Sequence, residues 1–247
     1  MKTIVPAGGS TGAPLILQQR FALMNACRAL RGQKVLDCGC GQGQYVLGFL
    51  AEGADAHGVE YIGENVAHFA ALYPEHAHRV AQGDIERLPF PDASFDVALL
   101  NEVLEHVPDD AAGLREVRRI LKPGGWLFVF SPNRLYPFET HGVYLRSGRR
   151  VPHYAPFVPY VPERAGVFRY WARNYWPAQL RDLVRSAGFD IFRTDFVWQT
   201  FENISGKQPR LLGRLKPALR RVSAVGQQIP GVRMFGGVSQ FVAATNP

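Results

Sequence analysis

The amino-acid sequence predicts an α/β fold built around a mostly parallel sheet. Segments with strand character alternate with segments of helical periodicity from residue 34 to residue 133, and this alternation is typical of parallel strands joined by helical crossovers. Apolar residues make up 47% of the 247 residues, enough for one large domain with insertions. A glycine-rich turn after the first strand indicates a ligand site at the carboxyl ends of the strands.

The individual elements follow from apolar spacing and from the positions of glycine and proline. The first segment, 15–31, has apolar residues at helical spacing, and the chain then enters the first strand. Glycine or proline marks the end of several later helices. The predicted helices are 15–31, 44–52, 63–72, 110–121 and 177–188, and the predicted strands are 34–38, 57–60, 79–82, one ending at 100, 126–131, 189–198 and 237–245.

The turn after the first strand reads Asp37-Cys38-Gly39-Cys40-Gly41-Gln42-Gly43. Alternate glycines permit positive φ angles and let a ligand approach the backbone closely. The spacing differs from the G-x-G-x-x-G of dinucleotide sites, and the Asp37 carboxylate would repel a pyrophosphate, which disfavours a nicotinamide dehydrogenase. A ligand that carries an ammonium and a sulfonium, such as S-adenosylmethionine (SAM), suits this carboxylate.

An acidic residue followed by G-x-G-x-G resembles the first motif of the class I SAM-dependent methyltransferases. The segments LPFPDASFDVALLNEVLEHV and LREVRRILKPGGWLFVFSPN resemble later motifs of the ubiquinone-biosynthesis-like, or methyltransferase type 11, group. The resemblance implies a Rossmann-like sheet of seven strands with helices on both faces and the last strand antiparallel. The expected cofactor residues are Asp37, Gly39, Gly41 and Gly43 at the methionine end, Glu60 on the ribose, Asp84 and Ile85 at the adenine, and Asn101 beneath the cofactor.

A group of ionisable residues follows the fourth strand. Glu102, Glu105 and His106 form E-x-x-E-H, and on a helix these positions share one face. Two carboxylates and an imidazole suit Mg²⁺ or another divalent cation, which would lower the pKa of an acceptor hydroxyl. The pattern resembles the magnesium-binding one of ubiquinone-biosynthesis-like O-methyltransferases and small-RNA 3′-terminal methyltransferases. His106 as a base without metal, or residues that only brace the helix, are the alternatives, and His141 is a further ligand or base candidate.

Residues 134–176 depart from the alternation of strands and helices. They hold eleven aromatic residues and five prolines, and an insertion of this length predicts a functional loop. We expect a lid over the carboxyl ends of strands four and five, suited to a phenolic, quinonoid or lipid-like acceptor. Aromatic residues that only pack the lid onto the domain are the alternative.

The positive charge of the chain is concentrated in its C-terminal half. The net charge is +7, and residues 146–221 contain fifteen Lys and Arg against five Asp and Glu. This excess can attract nucleic acid, an anionic membrane or an acidic substrate, or form a solvated face. In the insertion 200–236, a leucine and valine stripe lies beside basic residues, and Gly213 and Pro217 predict two short helices rather than one. Such a segment can lie on a membrane or pack on its own domain.

The N-terminus lacks the apolar core of a signal peptide, and no run of about 18 apolar residues predicts a membrane span. Three cysteines, an odd number, do not indicate a disulfide framework. We therefore expect a cytoplasmic SAM-dependent methyltransferase that acts on a small or lipid-like acceptor, preferably at oxygen. An RNA or sugar methyltransferase and a non-catalytic SAM-binding regulatory module are the alternatives. The expected organisation is an arm and helix at 1–33, a cofactor-binding core at 34–133, a substrate lid at 134–176 and C-terminal edge elements at 177–247.

Overall fold

Helices and strands alternate along the first half of the chain, as the sequence predicts. The computed structural model describes residues 15–139, 141–151, 156–198 and 210–247. In chain order the elements are α1 (Leu15–Cys27), β1 (Lys34–Cys38), α2 (Gln44–Ala51), β2 (Asp55–Glu60), α3 (Gly63–Leu72), β3 (Val80–Gln82), β4 (Phe95–Asn101), α4 (Asp110–Ile120), β5 (Leu121–Pro132), β6 (Val143–Leu145), β7 (Phe168–Tyr170), α5 (Pro177–Ser186), β8 (Asp190–Trp198), α6 (Arg210–Gly226), α7 (Pro230–Gly236) and β9 (Gly237–Thr245).

Seven of these strands form one sheet in the order β3-β2-β1-β4-β5-β9-β8. The pairings from β3 to β5 are all parallel, and β9 runs antiparallel to both of its neighbours. The prediction of a Rossmann-like, seven-stranded sheet with an antiparallel last strand is confirmed. The strand order reverses between β1 and β4, and ligands of open α/β sheets bind in the crevice at such a switch point.

Apolar layers cover both faces of the sheet. Because successive strand residues point to opposite faces, Leu36 of β1 packs in the layer that contains Leu114 of α4, whereas Val35 packs in the layer that contains Phe21 and Phe49. All five side chains are at most 2% exposed. The helices α4 and α5 therefore cover one face, and α1, α2 and α3 cover the other.

Several element boundaries differ from the sequence prediction, among them those of α1, β2 and β5. Helix α1 ends at Cys27 rather than 31, because the Asn25 side chain accepts a hydrogen bond from the Leu30 N–H at 3.4 Å and Leu30 turns into the core. Strand β2 begins at Asp55 rather than 57, where it pairs with Lys34. Strand β5 begins at Leu121 rather than 126, where it pairs with Phe95 before a register shift.

The prediction that Pro217 interrupts the C-terminal insertion is wrong. Helix α6 continues through Pro217 for 17 residues, and the second helix, α7, begins only at Pro230. A proline inside a helix removes one backbone hydrogen bond, but Pro217 is exposed, so water can take the place of the missing partner. Part of the insertion, residues 200–209, lies outside the described residues.

The predicted lid contains a small second sheet formed by β6 and β7, which pair antiparallel. The Tyr170 hydroxyl lies 2.7 Å from the carbonyl oxygens of both Val158 and Val161, and it joins β7 to a single 3₁₀ turn. Much of the aromatic content of this segment thus packs within the segment. Among the described residues, no helix has the length and apolar character needed to cross a membrane.

Candidate active site

The turn between β1 and α2 adopts backbone conformations that favour glycine. The φ angles of Gly39, Gly41 and Gly43 are +72°, +53° and +76°. A Cβ atom on Gly43 would lie 2.3 Å from the Phe69 ring, whereas one on Gly41 would meet no heavy atom within 4 Å. Gly41 therefore presents its backbone to an open cleft of about 1360 Å³. Asp37, Gly39 and Gly41 are among the residues that line this cleft. A ligand can approach the peptide groups there without steric hindrance.

Asp37 is buried at the end of β1 with an unsatisfied oxygen. The residue is 1% exposed, and its Oδ2 has no hydrogen-bond partner among the described residues. Burial, and to a smaller extent the charge of Glu60, raises the pKa of Asp37 to about 8. A buried carboxylate without a partner is costly, and a bound cation would favour its ionised form. The environment of Asp37 therefore fits a positively charged ligand group.

Glu60 connects the end of β2 to the glycine turn and to the start of α3. Its Oε2 accepts a hydrogen bond from the Gly41 N–H at 2.8 Å, and its Oε1 accepts one from the Ile62 N–H at 2.9 Å. Oε1 also accepts a hydrogen bond from Asn65 Nδ2 at 3.5 Å. These bonds fix the carboxylate beside the glycine turn, and Oε2 has a second lone pair for a ligand hydroxyl.

Asp84 and Ile85 follow β3 at the same edge of the sheet. Asp84 is exposed, and its Oδ1 accepts a hydrogen bond from the Glu86 N–H at 2.9 Å, which stabilises the turn. Ile85 is 8% exposed and packs in the core layer with Val107. The structure thus brings all of the predicted cofactor residues to the carboxyl ends of β1, β2, β3 and β4, and their individual roles remain predictions.

Arg20 of α1 is a site residue that the sequence analysis missed. Its Nη1 donates to Asn101 Oδ1, its Nη2 lies 2.5 Å from Glu102 Oε1, and its guanidinium lies 5.0 Å from the Phe130 ring centre. The side chain is 8% exposed. A signal was present in the sequence, because Arg20 lies three residues after Leu17 on a helix face whose other buried residues are apolar.

The segment after β4 does not form the helix that the E-x-x-E-H pattern predicted. Glu102 has a φ of +56°, and only Leu104–His106 form a 3₁₀ turn. Glu102 therefore does not share an α-helical face with the other two residues of the pattern, although its Oε2 lies 3.9 Å from His141 Nε2. Its Oε1 is held by Arg20 and by the Ser239 hydroxyl at 2.7 Å. Residues i, i+3 and i+4 share a face only while the α-helix continues, and the left-handed backbone at Glu102 prevents this.

The structure instead brings Glu105, His106 and His141 together. One ligand atom of each lies within 4.8 Å of the others. Glu105 Oε1 is buried without a hydrogen-bond partner among the described residues, and it lies 3.7 Å from His141 Nε2. Burial, then the charge of Glu102, raises the pKa of Glu105 well above its ordinary value. Burial, then His141, lowers the pKa of His106.

The contacts of these residues can be compared with the predicted magnesium site. Arg20 binds Glu102 Oε1, whereas Glu102 Oε2 lies 3.9 Å from His141 Nε2, so the predicted metal set of Glu102, Glu105 and His106 stays a prediction. The group of Glu105, His106 and His141 offers one carboxylate and two imidazoles, which suit zinc and similar transition metals better than magnesium. The unsatisfied Glu105 Oε1 is compatible with a bound cation and equally with a proton.

A cavity of about 590 Å³ opens beside Glu105 and His106. Its wall also contains Trp171, Arg173 and Tyr175 of the predicted lid. The Arg173 guanidinium donates to the carbonyl oxygens of the 3₁₀ turn region at 2.5 and 2.6 Å, which fixes the wall to the segment after β4. The volume is in the range of small-molecule sites.

Comparison with known proteins identifies the family to which the central segment belongs. The model of the family described as "Methyltransferase domain" matches residues 36–129, which contain the glycine turn, the ends of β2, β3 and β4, and the segment with Glu105 and His106. This segment is a class I SAM-dependent methyltransferase domain.

Two curated relatives extend this comparison. A probable S-adenosylmethionine-dependent methyltransferase of Mycolicibacterium smegmatis is 34% identical over 161 residues, which are 65% of this chain and 53% of the relative. A ubiquinone biosynthesis O-methyltransferase of Paracidovorax citrulli is 34% identical over 120 residues, which are 47% of this chain and 50% of the relative. The chain thus spans about half the length of these relatives.

A solved structure of a SAM-dependent methyltransferase from Mesorhizobium loti has the same fold as the methyltransferase domain and its flanking elements. The TM-score is 0.60 at 20% identity, and the match covers 91% of this chain and 95% of the solved chain. The similarity therefore extends beyond the central domain to the C-terminal strands. At this identity it supports the fold alone.

Proposed function

We propose that the chain binds SAM and transfers its methyl group to an oxygen atom of a small or lipid-like acceptor. The observation that carries the proposal is the buried Asp37 carboxylate, whose Oδ2 has no partner among the described residues, beside the open Gly41 backbone. When bound, SAM supplies an electrophilic methyl carbon on a sulfonium. Asp37 favours the positive end of the cofactor, and the fixed Glu60 carboxylate accepts hydrogen bonds from the ribose.

The group of Glu105, His106 and His141 supplies the proton acceptor in this proposal. As the acceptor oxygen forms its bond to carbon, the hydroxyl proton must leave, and a nearby base assists this transfer. His106 lines the 590 Å³ cavity, and its lowered pKa keeps the imidazole neutral and able to accept a proton near pH 7. The ring centre of His141 lies 5.7 Å from that of His106, and its Nε2 lies near Glu105.

A divalent cation held by Glu105, His106 and His141 is a second candidate for the same role, favoured by the unsatisfied Glu105 Oε1. A cation there would lower the pKa of an acceptor hydroxyl. Dialysis against EDTA followed by addition of Mg²⁺ or Zn²⁺ separates the two. If the imidazole is the base, EDTA should leave turnover unchanged. If a cation is required, EDTA should abolish turnover and the added metal should restore it.

The relative named as a ubiquinone biosynthesis O-methyltransferase supports a hydroxylated aromatic acceptor, and the aromatic wall of the cavity has matching chemistry. The three described cysteines are free, which supports a reducing, cytoplasmic location. Because the C-terminal half is positively charged, an RNA or sugar acceptor is the alternative substrate class. The alternative of another kind is a regulatory module that binds SAM without turnover.

The test combines cofactor binding with methyl transfer. Calorimetry measures SAM binding, and methyl-labelled SAM is incubated with a panel of catechols, hydroquinones, sugars and short RNAs. We expect label in a phenolic compound, binding weakened at least tenfold by Asp37→Asn, and transfer lost with binding retained in His106→Gln. Asp182→Asn, on an exposed face of α5, is the control.

The alternatives give other results. Intact SAM binding with no transfer to any compound in the panel would support the regulatory module. Labelled RNA, with binding that falls steeply as salt increases, would support the RNA alternative.

A further inference from the structure

An exposed apolar stripe runs along α6 and α7. Two of its members lie three residues apart in α6 and two lie three residues apart in α7, the spacing that places side chains on one face of each helix, and the fifth is the N-cap residue of α7. Contiguous exposed apolar surface of this kind marks a contact site for another molecule. The α6–α7 stripe consists of Val222, Val225, Ile229, Val232 and Phe235, which are 67%, 62%, 48%, 45% and 50% exposed.

The opposite side of these helices is fixed to the edge of the large sheet. Trp198 at the end of β8 fits against Gly226 and Gly236, where an added Cβ would lie 2.4 and 2.2 Å from its ring atoms. The Trp198 indole N–H also donates to the Arg233 carbonyl oxygen at 3.0 Å. The stripe therefore points outward because the other face is already packed.

The charge of this segment selects one kind of partner. Residues 210–236 contain six basic residues and no acidic residue. Arg220 and Arg221 are exposed next to Val222. A second copy of the chain would bring the same positive charge against the stripe, and like charges oppose that contact. Phosphate groups of a nucleic acid would match the charges but would leave the five apolar side chains in water.

We propose that the α6–α7 stripe is a docking surface for an anionic lipid bilayer. Amphipathic helices with basic and apolar residues lie in the interface plane, where the apolar side chains enter the acyl boundary and the basic ones meet anionic headgroups. An anionic bilayer is thus the partner that satisfies both features of the segment. Docking at this surface would not require methyl transfer.

The docking surface is joined directly to the acceptor side of the site. Asn133, which follows β5, donates from Nδ2 to the carbonyl oxygens of Met234 and Gly237, both at 2.8 Å. Ser239, two residues further along β9, donates to Glu102. A bilayer bound at α7 would therefore lie close to the strand ends that carry the ionisable group, as a lipid-like acceptor requires.

Vesicle sedimentation with the full chain tests this surface without any activity measurement. Vesicles of phosphatidylglycerol mixed with phosphatidylcholine are compared with vesicles of phosphatidylcholine alone. We expect binding to the anionic vesicles only, reduced by added salt. The double variants Val222→Ser/Val225→Ser and Arg220→Glu/Arg221→Glu should each weaken it at least tenfold.

Two substitutions at exposed positions elsewhere are the controls. Phe192→Ser on β8 removes an apolar side chain that is 63% exposed, and Arg185→Glu reverses an exposed charge on α5. Both should bind vesicles as the unmodified protein does. Thermal melting checks each variant, and Val232→Ser or Arg221→Glu alone replaces a double variant whose melting temperature falls.

Equal vesicle binding by all proteins, or binding by none, would overturn the proposal. The proposal would also be overturned if the protein did not bind vesicles and the stripe variants instead abolished a dimer in solution or a complex with RNA. Vesicle binding without methyl transfer would support the docking surface and contradict the proposed function, so the two failures are distinguishable.

Discussion

Replacement of Asp37 by asparagine should make the stability of the unliganded protein much less dependent on pH. Burial raises the pKa of Asp37 from its ordinary 3.8 to about 8 in the folded state. The folded protein therefore holds this proton more tightly than the unfolded chain. The associated stability is fully present below pH 3.8 and is lost as the pH rises towards 8.

The magnitude follows from the linkage between proton binding and folding. Between the two pKa values, each pH unit reduces the free energy of unfolding by about 1.4 kcal/mol. From pH 6 to pH 8 the loss amounts to roughly 2 to 3 kcal/mol. The asparagine variant cannot ionise here and escapes this loss, so its stability relative to the unmodified protein should increase by the same amount over that interval.

Urea unfolding without cofactor at pH 6, 7 and 8 measures this change. The difference between the two proteins at one pH includes the cost of burying an amide, and only its variation with pH isolates the ionisation. Histidines that titrate in this range contribute equally to both proteins and cancel. Asp182→Asn, whose side chain is 75% exposed, should differ from the unmodified protein by a constant amount.

A constant difference between Asp37→Asn and the unmodified protein across the three pH values would refute the reasoning. It would mean that Asp37 ionises normally despite its burial. Saturating SAM gives an internal check, because a bound cation stabilises the ionised carboxylate. The cofactor should therefore remove most of the pH dependence of the unmodified protein.

Three further substitutions test the rest of the site. Glu60→Ala should weaken SAM binding at least tenfold in calorimetry, since a hydrogen bond to a charged group contributes about 1.5–3 kcal/mol; unchanged affinity would exclude the ribose role. Gly43→Ala should destabilise the fold by about 1–3 kcal/mol in urea unfolding, because its Cβ would meet Phe69 at a positive φ, and stability equal to the unmodified protein would contradict the described turn. Arg20→Met should destabilise the fold by about 1.5–3 kcal/mol, because it removes the charged hydrogen-bond partner of the half-buried Glu102 and leaves it the Ser239 hydroxyl, and failure of Arg20→Met/Glu102→Gln to recover part of that loss would argue against the ion pair.

The fold was predictable from the sequence because its signals are local. Alternating strand and helix periods, helix-ending glycines and the acid-plus-glycine turn each depend on residues within a few positions of one another. The right-handed crossover rule then leaves few arrangements of the parallel strands. For the same reason Asp37, Glu60 and Asp84 could be placed together, since strand ends of a parallel sheet share one edge.

The ionisable group beyond β4 was predicted only in part. Its sequence pattern identified Glu105 and His106 correctly as neighbours, and His141 as a candidate to join them. The expected α-helix was wrong, because Glu102 has a positive φ and only Leu104–His106 form a 3₁₀ turn, and the metal role of Glu102 stays a prediction. Arg20 lies 82 residues before Glu102, and such a distant pairing leaves no local pattern in the sequence.

The sequence by itself determined the sheet, the glycine turn and the carboxylates at the strand ends, since periodicity and turn chemistry are properties of short segments. Only the tertiary structure decided which charges meet. It paired Glu102 with Arg20, left Asp37 Oδ2 and Glu105 Oε1 without a partner among the described residues, and carried α6 through Pro217 to the exposed Val222 and Val225. Burial and long-range contact arise from how the elements pack, and they set the protonation and partners of residues that the sequence can only name.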